Sequence, residues 1–110
     1  MNQISNINEY TVSELNNSIK KTIESRFLYI NLKGELSKNT RHSSGHIYLS
    51  LKDENESISA VCWRSKVSQL SLIPEEGEKI IVYGKVTTYS PQSKYQIIID
   101  KIESEGEGSL

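Results

Sequence analysis

A chain of 110 residues, 35% hydrophobic and 25% charged, is long enough for one small domain and too short for two. Its formal net charge of -1 excludes a strongly basic nucleic-acid coat, though not a local basic groove, because potential follows where the charges sit. No run can span a bilayer, the first residues lack the basic start and apolar middle of a secretion signal, and the single Cys62 has no partner for an internal disulfide, so a cytoplasmic protein without membrane attachment is expected.

Residues 1–9 are polar and are expected to be loose. Thr11 followed by Glu14 reads as a capping box. Val12, Leu15, Ile19 and Ile23 then form one apolar stripe on a helix of about four turns, with Lys20, Lys21 and Arg26 toward the negative end of its dipole. A first strand over 28–36 alternates Leu28, Ile30, Leu32 and Leu36 with Tyr29, Asn31, Lys33 and Glu35, and Gly34 marks a bend. The loop 37–44 holds no hydrophobic residue and carries Lys38, Arg41 and His42. The second strand, 45–53, sets Ile47, Leu49 and Leu51 against His46, Tyr48, Ser50 and Lys52. A tight acidic turn at 53–56 leads to a third strand, 57–64, with Ile58, Ala60 and Cys62 inward and Ser59, Val61 and Trp63 outward. Val67, Leu70 and Ile73, three apart, indicate a short helix within 65–73, closed by a turn at 74–77. Strands over 79–89, with Gly84 in its interior, and 95–102 flank a loop at 90–93. Residues 103–110 are acidic and contain Gly and Ser, as in a linker.

Helix, three strands, short helix, two strands is the layout of an all-β protein with flanking helices. The expected fold is a five-stranded OB-fold barrel of Greek-key topology preceded by an N-terminal helix, a sheet that removes its edges by curling shut. The last two strands are partly apolar on both faces. The helix stripe is therefore expected to dock on their outer surface.

The polar face of the second and third strands points to function. Binding of unpaired nucleic acid needs aromatic faces for bases and cations for phosphates. Tyr48 and Trp63 on adjacent strands would supply the first, and Lys33, Lys38, Arg41 and Arg64 the second. His46 shares the polar face, and Tyr89 and Lys94 come from the bordering loop. The same Tyr48 and Trp63 would also serve as a cross-strand pair holding the sheet together, and the loop charges as ordinary solvated groups. His42 and His46 lack the companions of a metal site. No serine, cysteine or paired carboxylate stands in a catalytic arrangement, so the chain alone is expected to be non-catalytic.

Several stretches resemble the start of the exodeoxyribonuclease VII large subunit: Tyr10-Thr-Val-Ser-Glu-Leu-Asn16, Gly34-Glu-Leu-Ser37, Ser44-Gly-His-Ile-Tyr-Leu-Ser-Leu-Lys-Asp53, Pro74-Glu-Glu-Gly77, Tyr83-Gly-Lys-Val86, Tyr95-Gln96 and Gly106-Glu-Gly-Ser-Leu110. The match spans nearly the whole chain in the family's order. It implies an OB-fold domain over 10–103 that binds single-stranded DNA, with 104–110 beginning a linker to a catalytic domain outside this chain. It also implies that small subunits attach to those downstream regions, and that any divalent metal belongs to the longer nuclease, with no cofactor in this piece. The strand 45–53 taken alone also resembles OB domains of aminoacyl-tRNA synthetases, so an RNA-binding domain is the alternative. A protein-interaction module built on the helix stripe is a third.

Overall fold

The structure is a computed structural model that describes residues 7–106, the side chain of Ser90 apart. Most of the expected loose segment 1–9, and residues 107–110 of the expected linker, lie outside the described residues. Thr11 is the N-cap of helix α1 (Val12–Arg26). Its hydroxyl accepts from the Glu14 amide at 3.1 Å, and the Glu14 carboxylate accepts from the Thr11 amide at 2.8 Å. Two of the donors that a helix start leaves unpaired are thus satisfied reciprocally, as the sequence predicts.

Five strands follow: β1 (Ile30–Arg41), β2 (Ile47–Lys52), β3 (Ser57–Cys62), β4 (Lys79–Tyr89) and β5 (Lys94–Ser104), with the single turn α2 (Arg64–Val67) between β3 and β4. They close into a barrel in the order β1-β2-β3-β5-β4. Only the β3–β5 pairing is parallel, and its ladder is two residue pairs long, against ten between β4 and β5. β1 serves two neighbours, pairing with β4 up to Glu35 and with β2 from Glu35 to Arg41, and a bulge at Leu36/Lys38 turns it between them. Closure joins every strand to two neighbours, most loosely between β3 and β5.

The alternation in β2 holds. Ile47, Leu49 and Leu51 are buried and meet Leu36, Ala60, Cys62, Ile80, Val82, Ile97, Ile99 and Ile102 in one core. Burial pushes the Cys62 thiol up from its ordinary value, as befits a small hydrophobe rather than a nucleophile. Where β4 crosses β5 their backbones come so close that a Cβ on Gly84 would lie 1.9 Å from the Ile98 carbonyl oxygen. The predicted interior glycine therefore sits where no side chain fits, beside an irregularity in the ladder.

Four expectations are corrected. Leu28 is 70% exposed and precedes β1, which starts at Ile30. The stretch read as a loop over 37–44 is strand as far as Arg41, because β2 supplies hydrogen-bond partners that hydropathy does not record. Val61 is buried although it points outward, lying between the larger Tyr48 and Ile98, its register neighbours on β2 and β5. The helix expected within 65–73 shrinks to α2, after which Gln69 and Leu70 make bonds of the i→i+3 kind to Lys66 and Val67. A spacing of three is the period of that tighter turn, and Val67, Leu70, Leu72 and Ile73 still pack on the core.

The helix stripe docks only through its second half. Ile23 packs on the core, the Phe27 carbonyl accepts from the Val86 amide at 3.1 Å, and Lys20 donates to the Thr87 hydroxyl and the Thr88 carbonyl. Glu24 joins this cluster through Lys20 at 2.7 Å and through the Thr87 hydroxyl. Val12, Leu15 and Ile19 remain exposed.

Candidate nucleic-acid interface

Residues directly opposite each other in a ladder share a face. Tyr48 is opposite Thr40 on β1 and Val61 on β3, Ser50 is opposite both Lys38 and Ser59, and all of these therefore stand on the outer face of β1, β2 and β3. The β4–β5 hairpin closes with Tyr89 paired to Lys94, over a single 3-10 turn, Ser90–Gln92. Ser93 takes φ 51 and turns the chain back into β5. Sheet face and hairpin together bound a groove of about 570 Å³ lined by Lys38, Thr40, Tyr48, Ser50, Ser59, Tyr89, Gln92, Lys94, Tyr95 and Gln96, with Leu49 and Ala60 beneath.

Three tyrosines and two lysines line this groove, and no acid does. Tyr48, Tyr89 and Tyr95 are 41%, 50% and 60% exposed. Among the described residues Lys38 and Lys94 enter no ion pair, whereas Lys20, Lys33, Lys52, Lys66 and Lys101 are each matched with a carboxylate. The surface beyond β5 and β4 shows the contrast. There Lys66 holds the Asp100 carboxyl below the usual carboxylate range, helped by the Tyr29 hydroxyl. The Tyr83 hydroxyl and the Lys101 ammonium do the same for Glu103. Tyr29 stacks on Tyr83 with Lys101 above that ring, so both aromatics and cations are engaged within the protein. The groove, by contrast, combines exposed rings with lysines that enter no ion pair among the described residues.

The nine residues singled out from the sequence fall into two sets. Lys38, Tyr48, Tyr89 and Lys94 are brought together in the groove. The other five lie outside its lining. Continuing the β2–β3 register by one step sets Trp63 across from His46, with ring centroids 5.0 Å apart in an edge contact, rather than beside Tyr48. Tyr48 instead meets the His42 ring at 6.2 Å. Nδ1 of His46 accepts from the Arg64 amide at 2.8 Å, which places the proton of the neutral ring on Nε2 and fixes the start of α2. Arg64 packs its stem beneath Gly45 in the β1–β2 loop. Arg41 is opposite Ile47 and so projects on the other side of the sheet, beside Pro74, Glu75 and Glu76. Lys33 pairs with Glu105 at 3.4 Å, next to β4 and away from the groove.

Sequence reasoning missed Tyr95, Gln92, Gln96, Thr40, Ser50 and Ser59. Ser50 was legible as a polar-face residue from its alternation. Tyr95 carried a signal in being the ring next to Lys94 at the mouth of a hairpin. As for metals, no group of three or more His, Cys, Asp and Glu stands together among the described residues.

A closed five-stranded barrel with a polar, aromatic and basic groove between its sheet face and its last hairpin is the build of an oligonucleotide-binding module. The chain belongs to the OB-fold nucleic acid binding domain family, which its residues 10–103 match. Among curated proteins it is 48% identical over 106 residues to the exodeoxyribonuclease 7 large subunit of Caulobacter vibrioides, a match covering 96% of this chain and 21% of that protein. The resemblance read from the motifs is thereby borne out, and the chain spans about a fifth of the length of that relative. Among solved structures the barrel is similar to a chain of the S. pombe Stn1-ten1 complex, with TM-score 0.61 and 16% identity over 74% of this chain and 60% of that one. It is also similar to a chain of a replication protein A heterotrimer bound to ssDNA, with TM-score 0.58 and 12% identity over the same shares. At these identities the likeness is one of fold.

Proposed function

We propose that this domain holds single-stranded DNA for a nuclease whose chemistry resides elsewhere in a longer protein. The observation that carries the reading is the groove itself, with exposed Tyr48, Tyr89 and Tyr95 beside the unpaired Lys38 and Lys94 and no carboxylate. Bases stack on the phenol faces, the two ammonium groups neutralise phosphates, and Ser50, Ser59, Gln92 and Gln96 meet whatever base edges pass. The relative's name, exodeoxyribonuclease 7 large subunit, supports DNA as the polymer and a hydrolase as the parent. Contacts with small subunits fall to parts of that longer protein beyond this chain. No described helix is long and apolar enough to cross a membrane, and a cytoplasmic setting accords with DNA as substrate.

The test is a titration with a short labelled oligodeoxynucleotide at several salt concentrations. Two phosphate contacts predict a slope of log K against log salt of about -1.4. A lost base stack on Tyr48→Ala costs about 1–3 kcal/mol, or roughly 5–150-fold in Kd. Absence of binding at low salt overturns the proposal. Preference for the ribo-oligomer over the deoxyribo-oligomer moves the substrate to RNA, since the 2′-hydroxyl is what distinguishes them.

A further inference from the structure

The groove does not end at the hairpin. Behind Lys94 and Tyr95 lies a second, smaller cleft of about 90 Å³ between α1 and the β4–β5 hairpin, and those two residues line both hollows. Its α1 wall includes Asn16 and Ile19, and its hairpin wall includes Thr88. Ile19 is 43% exposed. The Thr88 hydroxyl is shielded from solvent and has no hydrogen-bond partner among the described residues. A shielded polar atom without a partner is costly, and one in the wall of a cleft points to something that completes it.

We propose that this cleft is a terminal subsite for one nucleotide of the strand held in the main groove. The inference rests on the single-strand reading of that groove. Its size, about 90 Å³ against about 570 Å³, suits one ring system rather than a run of nucleotides. Tyr95 and Ile19 offer apolar surface to the two faces of a base, the sandwich that sequence-tolerant recognition uses. Lys94, at the boundary, takes the phosphate linking this base to the preceding one. The Thr88 hydroxyl offers a hydrogen-bonding group to its edge. α1 is thus part of the binding surface, and its exposed apolar turn has an occupant.

The experiment measures affinity for oligothymidylates of about 4 to 16 nucleotides, the range a single OB fold covers. It compares the parent domain with Ile19→Ser and Thr88→Val, neither of which lines the main groove. A 2-aminopurine at one end or the other of the longest oligomer reports stacking. The parent should gain affinity up to a plateau length, with quenching of the probe at one end only. Ile19→Ser should reach its plateau about one nucleotide earlier, lose about fivefold or more at full length and abolish the end quenching. Its affinity for the shortest oligomers should be unchanged. Thr88→Val, nearly isosteric, should weaken the end quenching and keep the parent's melting temperature, so the proposal is still judged if Ile19→Ser fails to fold. Oligomers that bind all three proteins with one length dependence and unchanged end quenching overturn the subsite but leave the groove. Oligomers that bind none of them overturn both.

Discussion

Replacing Gly84 by alanine tests the fold at its tightest point. A Cβ there would stand 1.9 Å from the Ile98 carbonyl oxygen and 2.9 Å from the Ile98 carbonyl carbon. Ordinary contact begins at 3.4 Å, so β4 and β5 would have to part by 3.4 − 1.9 = 1.5 Å at this crossing. Ladder bonds of about 2.9 Å lengthened by that much no longer count as hydrogen bonds. Losing two, with buried groups left unpaired, costs about 2–5 kcal/mol, a large part of the ~5–15 kcal/mol that stabilises a domain. Gly77→Ala is the control. It carries φ 93 but opens onto free space, so only backbone strain of about 1–2 kcal/mol is expected. Urea unfolding followed by the fluorescence of the single tryptophan, Trp63, reads both. A Gly84→Ala domain within about 0.5 kcal/mol of the parent, or more stable than Gly77→Ala, refutes the argument that the barrel depends on this close approach.

Acidification should loosen α1. The Lys20 ammonium first, and the Thr87 hydroxyl next, hold the Glu24 carboxyl below the ordinary 4.5. The folded state therefore favours the carboxylate, and its contribution is complete above the ordinary value and lost as pH falls through the folded one. The protection factor of the Val86 amide, which donates to Phe27, should fall below that value in the parent and less so in Glu24→Gln, whereas identical acid profiles of protection would reject the tether. His46→Ala removes the acceptor for the Arg64 amide and the edge contact with Trp63, for about 1–2 kcal/mol of stability. Oligonucleotide affinity should change less than about twofold, and a loss as large as that of Tyr48→Ala would place the imidazole on the bound strand.

What the sequence disclosed follows from which forces are local. The capping box at Thr11 and Glu14 and the alternation of Ile47, Leu49 and Leu51 are short-range patterns, and both are met. The strand count was also legible, and so was an interior glycine at Gly84, though not the close crossing with β5 that it permits. The extension of β1 to Arg41 was not, because its hydrogen bonds come from β2 rather than from any feature of residues 37–41. The site was half legible for the same reason. Alternation puts Tyr48 and Trp63 on one face, but only the register shows that Trp63 faces His46 while Tyr48 faces Thr40 and Val61. Arg41 looks like a loop cation until its partner Ile47 shows which way the strand turns it. Tyr95 belongs to the β5 ladder opposite Thr88, and only the closing of the barrel beside the hairpin brings it to the groove.

The parallel ladder that closes the barrel is two pairs long, Ala60 with Ile97 and Val61 with Ile98. It is the shortest fastening in a sheet otherwise zipped along most of its length. The groove straddles that fastening, with Tyr48 and Ser59 on one bank and Lys94 and Gln96 on the other. An occupant gripping both banks acts as a clasp, resisting the opening of the cylinder where it has least backbone to hold it shut.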